Sequence, residues 1–324
     1  MRNAIRTWGW MACGAGLCLF AGCASPKPAA TTDPELSRVA GVARLSFEQG
    51  SLEQSARLYA RALRMARKTD DAREIGSNAY NLAACLAELG RYPEALGFLE
   101  EARGEFARAE RSQADLLLLE ARIALLSGQF SDALAIAEQV LPAAAKGNVP
   151  SYRVQVMLLR ADVALARGAA EVARVELDDA KKDLQKQRDA LLNAQVAGVE
   201  GRVLLATGAP ADAAKMFDRQ AGLLKSDARF REMALTLARA GEAYQQAEAF
   251  TKAGDRFYRA ARSLYAQGDE LEALKMIQAA LAAAEKSGDE KFLKRIATLF
   301  EEVRHRVESV KKPPAESSNE QPGN

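Results

Sequence analysis

Between residues 34 and 311 the apolar positions recur at helical spacing, and no stretch alternates as a half-buried strand requires. β-Branched runs are few, and no Asn-Gly hairpin turn occurs. The last run shows the pattern most plainly. Phe292, Leu293, Ile296, Leu299, Phe300, Val303 and Val307 fall on one helix face, with Lys291, Lys294, Glu301, Arg304 and Arg306 on the other. One dry face and one wet face are what the end of a stacked helical array requires. Lys311 and Lys312 suit a helix C-terminus, and Pro313-Pro314 ends the run.

The pattern repeats. Its clearest copy is residues 79–102, where Ala83 lets one helix lie close to the next and Gly90 is free to take a left-handed turn. Tyr92 packs the elbow, Pro93 suits the first turn of the second helix, and Ala95 faces Ala83. The turn mark recurs at Gly50, Gly128, Gly168, Gly208 and Gly268, with Glu248 in its place once. From Gly50 to Glu248 the spacings are 40, 38, 40, 40 and 40 residues. A small residue precedes each turn at Ala43, Ala83, Ala121, Ala161, Gly201 and Gly241. Its partner in the second helix is Ser55, Ala95, Ala133, Ala173, Ala213 and Ala253.

Small residues at two helix contacts with Gly-x-aromatic at the turn closely resemble the tetratricopeptide repeat, a helix-turn-helix unit of about 34 residues. Units near 40 residues look more like the longer form found in kinesin light chains and some bacterial regulators. The resemblance implies an all-α fold, an α-α superhelix of about six helix pairs plus a C-terminal half-repeat and a capping helix. First (A) helices are expected near 34–49, 73–89, 112–127, 151–167, 190–207 and 229–247. Second (B) helices are expected near 51–68, 92–109, 130–145, 170–186, 210–225 and 250–267. After Gly268 the spacing drops, so the helix of 250–267 also serves as an A helix for Glu270 to Lys286. Pro142 is expected to kink the third B helix, and Gly147-Asn148-Val149-Pro150 makes the longest break.

Residues 1–22 read as a leader outside this fold. Arg2 and Arg6 precede an apolar run from Trp8 to Ala21, too short for a membrane span. The run ends Leu19-Phe20-Ala21-Gly22-Cys23, which resembles the lipobox of bacterial lipoproteins, with Phe20 departing from the usual Leu. The resemblance implies acylation of the Cys23 thiol, cleavage before it, and stable anchoring through several acyl chains. Ala24 after the cysteine implies the periplasmic face of the outer membrane. Ordinary secretory cleavage after Ala24 and an uncleaved inner-membrane anchor are the alternatives. Residues 23–33 form a flexible tether, with Asp33 as N-cap and Pro34 at the first helical position. Residues 34–311 are the repeat array and 312–324 a disordered tail.

Processing changes the charge. The 324-residue chain has 45 Lys and Arg against 43 Asp and Glu; losing Arg2 and Arg6 leaves 43 of each. That balance gives no footprint for nucleic acid. Cys13 and Cys18 leave with the leader, so with Cys23 acylated Cys85 stands alone as a buried, inert thiol. One histidine, His305, sits between two arginines on the polar face of the last helix, and no catalytic, metal or cofactor constellation emerges. The chain reads as a non-enzyme.

The resemblance points instead to a concave groove lined by A helices, where a peptide or partner helix docks. One place after the small residue the units read Arg44, Ala84, Arg122, Asp162, Arg202 and Glu242; two places before that row lie Glu120, Arg160 and Glu200. Both rows alternate in sign. They read either as a ladder of inter-repeat ion pairs or as a mixed-charge groove. Tyr80 and Asn81 join the candidates. A carboxylate clamp of the chaperone-binding kind is not expected, because only Asn81 matches it and Asp115 and Leu119 stand where basic groups belong. The implied function is an outer-membrane-anchored scaffold or adaptor of an envelope complex. A pilotin-like assembly factor, or a regulator or spacer on cell-wall machinery, is the alternative.

Overall fold

The computed structural model describes residues 33–144, 150–185 and 189–311, which form fourteen α-helices. The leader, Cys23, the tether before Asp33, residues 147–149 and the tail lie outside the described residues. Two compact units meet in sequence at Phe230 and Arg231. The first holds five hairpins: α1 (Pro34–Glu48) with α2 (Leu52–Thr69), α3 (Ala72–Glu88) with α4 (Tyr92–Arg108), and α5 (Ala114–Leu126) with α6 (Phe130–Ala144). They continue with α7 (Pro150–Ala166) and α8 (Ala170–Leu184), then α9 (Ala190–Ala206) and α10 (Pro210–Ser226). The second holds α11 (Phe230–Gln246), α12 (Phe250–Ala266), α13 (Glu270–Ser287) and α14 (Glu290–Lys311). The all-α helical-hairpin repeat is as expected, with helix ends within about two residues of their predicted places. α12 packs on α11, where Phe257 lies over Gly241, and also along α13, so it serves two hairpins at once.

Caps and turns set the helix ends. Asp33 accepts from the backbone N–H of Glu35 at 2.9 Å, and Asp71 and Asp189 cap α3 and α9 in the same way. At Gly90 (φ +74°) the N–H bonds to Ala87 O at 3.0 Å and the next N–H, of Arg91, to Leu86 O at 2.8 Å. These two bonds close the end of α3 in a Schellman motif. The N–H of Glu248, at φ +56°, bonds to Gln245 O and the next N–H, of Ala249, to Tyr244 O; a side chain there costs about 1 kcal/mol relative to glycine. Glu110 and Ala228 close α4 and α10 likewise at positive φ. Pro142 lies in the last turn of α6, which ends two residues later at Ala144.

All twelve small positions are buried. Their size is matched to what crosses them. Ala83 has Leu99 at the facing B-helix place, whereas Gly201 and Gly241 have Phe217 and Phe257. A Cβ on Gly201 would lie 2.6 Å from the Phe217 ring, and one on Gly241 2.8 Å from Phe257. Ser55, the one polar small residue, donates to Ala43 O at 2.7 Å and lies 3.3 Å from Cys85 Sγ. A carbonyl only accepts, so the thiol is the donor to Ser55. Burial pushes the Cys85 thiol up to about 12. In the second unit Phe292 of α14 fills the space over Gly254, edge-on to Tyr258 at 5.6 Å. Phe292, Ile296, Leu299 and Val303 are buried while Lys291, Lys294 and Arg304 are exposed, as the two-faced pattern requires.

Candidate functional site

In the first unit each B helix packs on the A helix of the next hairpin, and successive A helices also touch, α3 to α5, α5 to α7 and α7 to α9. Among the described residues successive B helices make no contact of that extent. Closer A-to-A than B-to-B spacing puts the A helices on the inside of the unit's bend and the B helices outside.

On that inner side Asp162 and Arg202, 40 residues apart in the chain, form an ion pair at 2.5 Å between α7 and α9. Both are partly open, 29% and 39% exposed, so the pair can exchange protein contact for a ligand. Arg122 on α5 is half-buried in the same row. One turn further along each helix lie Leu125, Leu165 and Leu205, all half-buried. Gln155 and Gln195, also half-buried, are seven residues before Asp162 and Arg202. Charge, amide and leucine side chains therefore run side by side along α5, α7 and α9. A second polar link joins α5 to α7, where the Tyr152 hydroxyl donates to Asp115 at 2.7 Å.

The other candidates separate. Arg44 is half-exposed on α1, with Glu48 of its own helix 3.7 Å away. Asn81 is half-buried on α3, and Glu242 is exposed on α11 in the second unit. Tyr80 is a correction. It is 6% exposed, with the Phe106 ring 6.4 Å away, because Phe106 packs over Gly76 one helical turn before it. A residue so covered does not line a groove. Cys23 lies outside the described residues.

The second charge row pairs between repeats, as the ladder reading expects, but Glu120, Arg160 and Glu200 bond to outer helices and not to each other. Glu120 takes Arg103 of α4 at 2.5 Å, Glu200 takes Lys181 of α8, and Arg160 bridges Glu138 of α6 and Glu176 of α8. Burial, opposed by Arg160, holds Glu176 above the usual carboxylate range. This row stitches A helices to B helices, and its chain separations of 16 to 22 residues are not those of the repeat. Among the described residues no cluster of His, Cys, Asp and Glu is arranged to hold a metal, and no helix is long and apolar enough to cross a membrane. His305 is exposed on α14.

Residues 35–104, α1 to most of α4, match the tetratricopeptide repeat family model. No curated protein compared with the chain matches its sequence at a significant level. Among solved structures, a Rap protein complexed with competence and sporulation factor is similar at TM-score 0.55 and 15% identity, over 85% of this chain and 88% of that one. The Rap conjugation gene regulator of plasmid pLS20, in complex with the Phr* peptide, gives 0.58 and 14% over 90% and 83%. The apo form of RapI gives 0.50 and 12% over 85% and 99%. At these identities the likeness is one of fold, a tetratricopeptide-like array of helical hairpins.

Proposed function

We propose that this chain is a protein-binding scaffold, anchored through acylated Cys23 to the periplasmic face of the outer membrane, that holds a peptide or helical segment of an envelope partner against its A helices. The observation that carries the reading is the inner row of the first unit. Arg122, Asp162 and Arg202 lie half-open beside Leu125, Leu165 and Leu205. A partner segment with one apolar edge and one mixed-charge edge matches that surface. A tetratricopeptide-like fold ordinarily serves protein interaction, and two of the similar Rap structures are complexes, one with a named factor and one with a peptide. The lipobox-like Leu19-Phe20-Ala21-Gly22-Cys23 supports the anchor.

The test is photo-crosslinking in cells from probes at Asn81, Arg122 and Arg202, with a control at exposed Arg219 on outer helix α10. The proposal predicts one dominant partner, captured by the inner probes and not by the control. Equal weak labelling from all four sites would sink it.

A further inference from the structure

The outer face of α2 differs from the other outer helices of the first unit. α2 carries five basic residues, Arg57, Arg61, Arg64, Arg67 and Lys68, against one acid, Glu53, a balance of +4. The next three outer helices each balance at −2: α4 with two bases against four acids, α6 with none against two, and α8 with three against five. α10, with three against two, stands at +1.

Placement matters as much as number. Arg57, Arg61, Arg64 and Lys68 follow one another at intervals of four, three and four, so all four project along one stripe of the helix, and all four are exposed. Neighbouring like charges at those intervals repel and cost helix stability unless an anion relieves them. On α4, α8 and α10 carboxylates of the same helix supply such relief at several places. Arg103 bonds to Glu100 at 3.2 Å and Arg108 to Glu105 at 2.8 Å on α4, Arg174 to Glu171 at 2.6 Å on α8, and Lys215 to Asp212 at 2.8 Å on α10. On α2 only Arg61 and Arg67 find carboxylates, both on other helices, Glu35 at 2.9 Å and Glu101 at 2.6 Å. Arg57, Arg64 and Lys68 bond to no carboxylate among the described residues. Three exposed cations on one stripe leave their counter-charge to come from outside the fold.

The chain says where that charge is. α2 belongs to the first hairpin, and Cys23 lies ten residues before Asp33, the N-cap of α1. Ten residues span at most about 35 Å, so an anchored first hairpin stays close to the headgroups. Anionic headgroups attract clustered Lys and Arg only within about a Debye length, roughly 8 Å at physiological salt, so of the outer helices the one in the first hairpin gains most. α4, α6 and α8, with their negative balance, gain nothing there.

We infer that the basic stripe of α2 docks on anionic phospholipid headgroups and fixes which way the anchored array faces. The inference rests on the anchoring proposed above, and the experiment separates the two. The full chain with Cys23→Ser is sedimented with vesicles of phosphatidylcholine alone or mixed with phosphatidylglycerol, so any contribution from the apolar leader is common to both. The expected result is preferential binding to the mixed vesicles that weakens as salt is raised. The R57Q/R64Q/K68Q variant keeps good helix formers and is expected to lose about a hundredfold in affinity for the mixed vesicles, falling to the neutral-vesicle level. R174Q/K182Q/K215Q, which removes the same charge from α8 and α10, is expected to bind like the parent. Equal binding to the two vesicles, salt-independent binding, or a triple variant that binds as well as the parent would overturn the inference. So would polyglutamate that binds the stripe and is not displaced by mixed vesicles, which would assign it to an acidic protein. Acyl labelling of Cys23 in cells reads the anchor alone: an unlabelled chain with intact phosphatidylglycerol preference removes the anchor and keeps the docking face.

Discussion

Hairpins α3–α4 and α9–α10 have the same frame and different fillings. Both begin with an aspartate N-cap, Asp71 or Asp189, and both turn on a left-handed glycine, Gly90 or Gly208. Their cores divide the space differently. In the first, Ala83 and Tyr80 stand on the A helix where Leu99 and Ala102 face them on the B helix; in the second, the same four places hold Gly201, Gly198, Phe217 and Gln220. The bulk has moved from the A helix to the B helix. A Cβ on Gly198 would lie 2.6 Å from the Gln220 amide, and one on Gly201 equally close to the Phe217 ring. The family match covers the first hairpin as far as residue 104 and none of the second. Residue types at fixed places carry the match, whereas close packing conserves the summed volume of a contact and leaves its partition free.

The largest effect expected from breaking this arrangement is Phe217→Ala, which removes the bulk and leaves the glycine facing a void. It should cost about 3–5 kcal/mol in chemical denaturation, at or above the roughly 2–5 expected for Leu99→Ala. Gly201→Ala sharpens the comparison. A mid-helix Gly→Ala change ordinarily stabilises, but here the new methyl meets the Phe217 ring, so a loss of about 1–3 kcal/mol is expected. Adding Phe217→Leu recreates the Ala83–Leu99 pairing and should recover most of that loss. A double variant no better than the sum of its singles would break the volume account.

The shared frame should respond alike in both hairpins. Asp71→Ala and Asp189→Ala each remove a side-chain cap and should each cost about 1 kcal/mol. The smallest effect concerns Cys85 of α3, whose place in α9 is held by Val203. With its folded pKa raised above the ordinary thiol value of 9.0 to about 12, the buried thiol favours folding in its neutral form. That contribution is complete below about pH 9 and is lost as pH rises toward 12. Cys85→Val should be tolerated near neutrality and should flatten this alkaline decline, read as denaturation midpoints across pH.

What the sequence made legible follows the same division. Periodicity and the glycine turns placed every described helix, because a left-handed turn leaves its mark on residue choice at Gly90 and its equivalents. Glu110 and Ala228 turn the same way without glycine, so the ends of α4 and α10 carried no mark. Of the site, the Asp162–Arg202 pair followed from the 40-residue register, since equivalent places on neighbouring A helices come within bonding reach. Tyr80 was misplaced because its cover, Phe106, comes from a different helix and settles over Gly76, a fit no local pattern encodes. The partners of Glu120, Arg160 and Glu200 were missed for a similar reason: A-to-B neighbours obey helix packing and not the repeat spacing.

The most direct measurement of the central claim swaps the inner ion pair, Asp162→Arg with Arg202→Asp, and reads stability and in-cell crosslinking from a probe at Arg122 together. The swap keeps a pair between α7 and α9 and reverses the charge each helix shows to a ligand. The account predicts stability within about 1 kcal/mol of the parent and loss of the dominant crosslinked partner. Unchanged stability with unchanged capture would contradict it and leave the row a structural ladder.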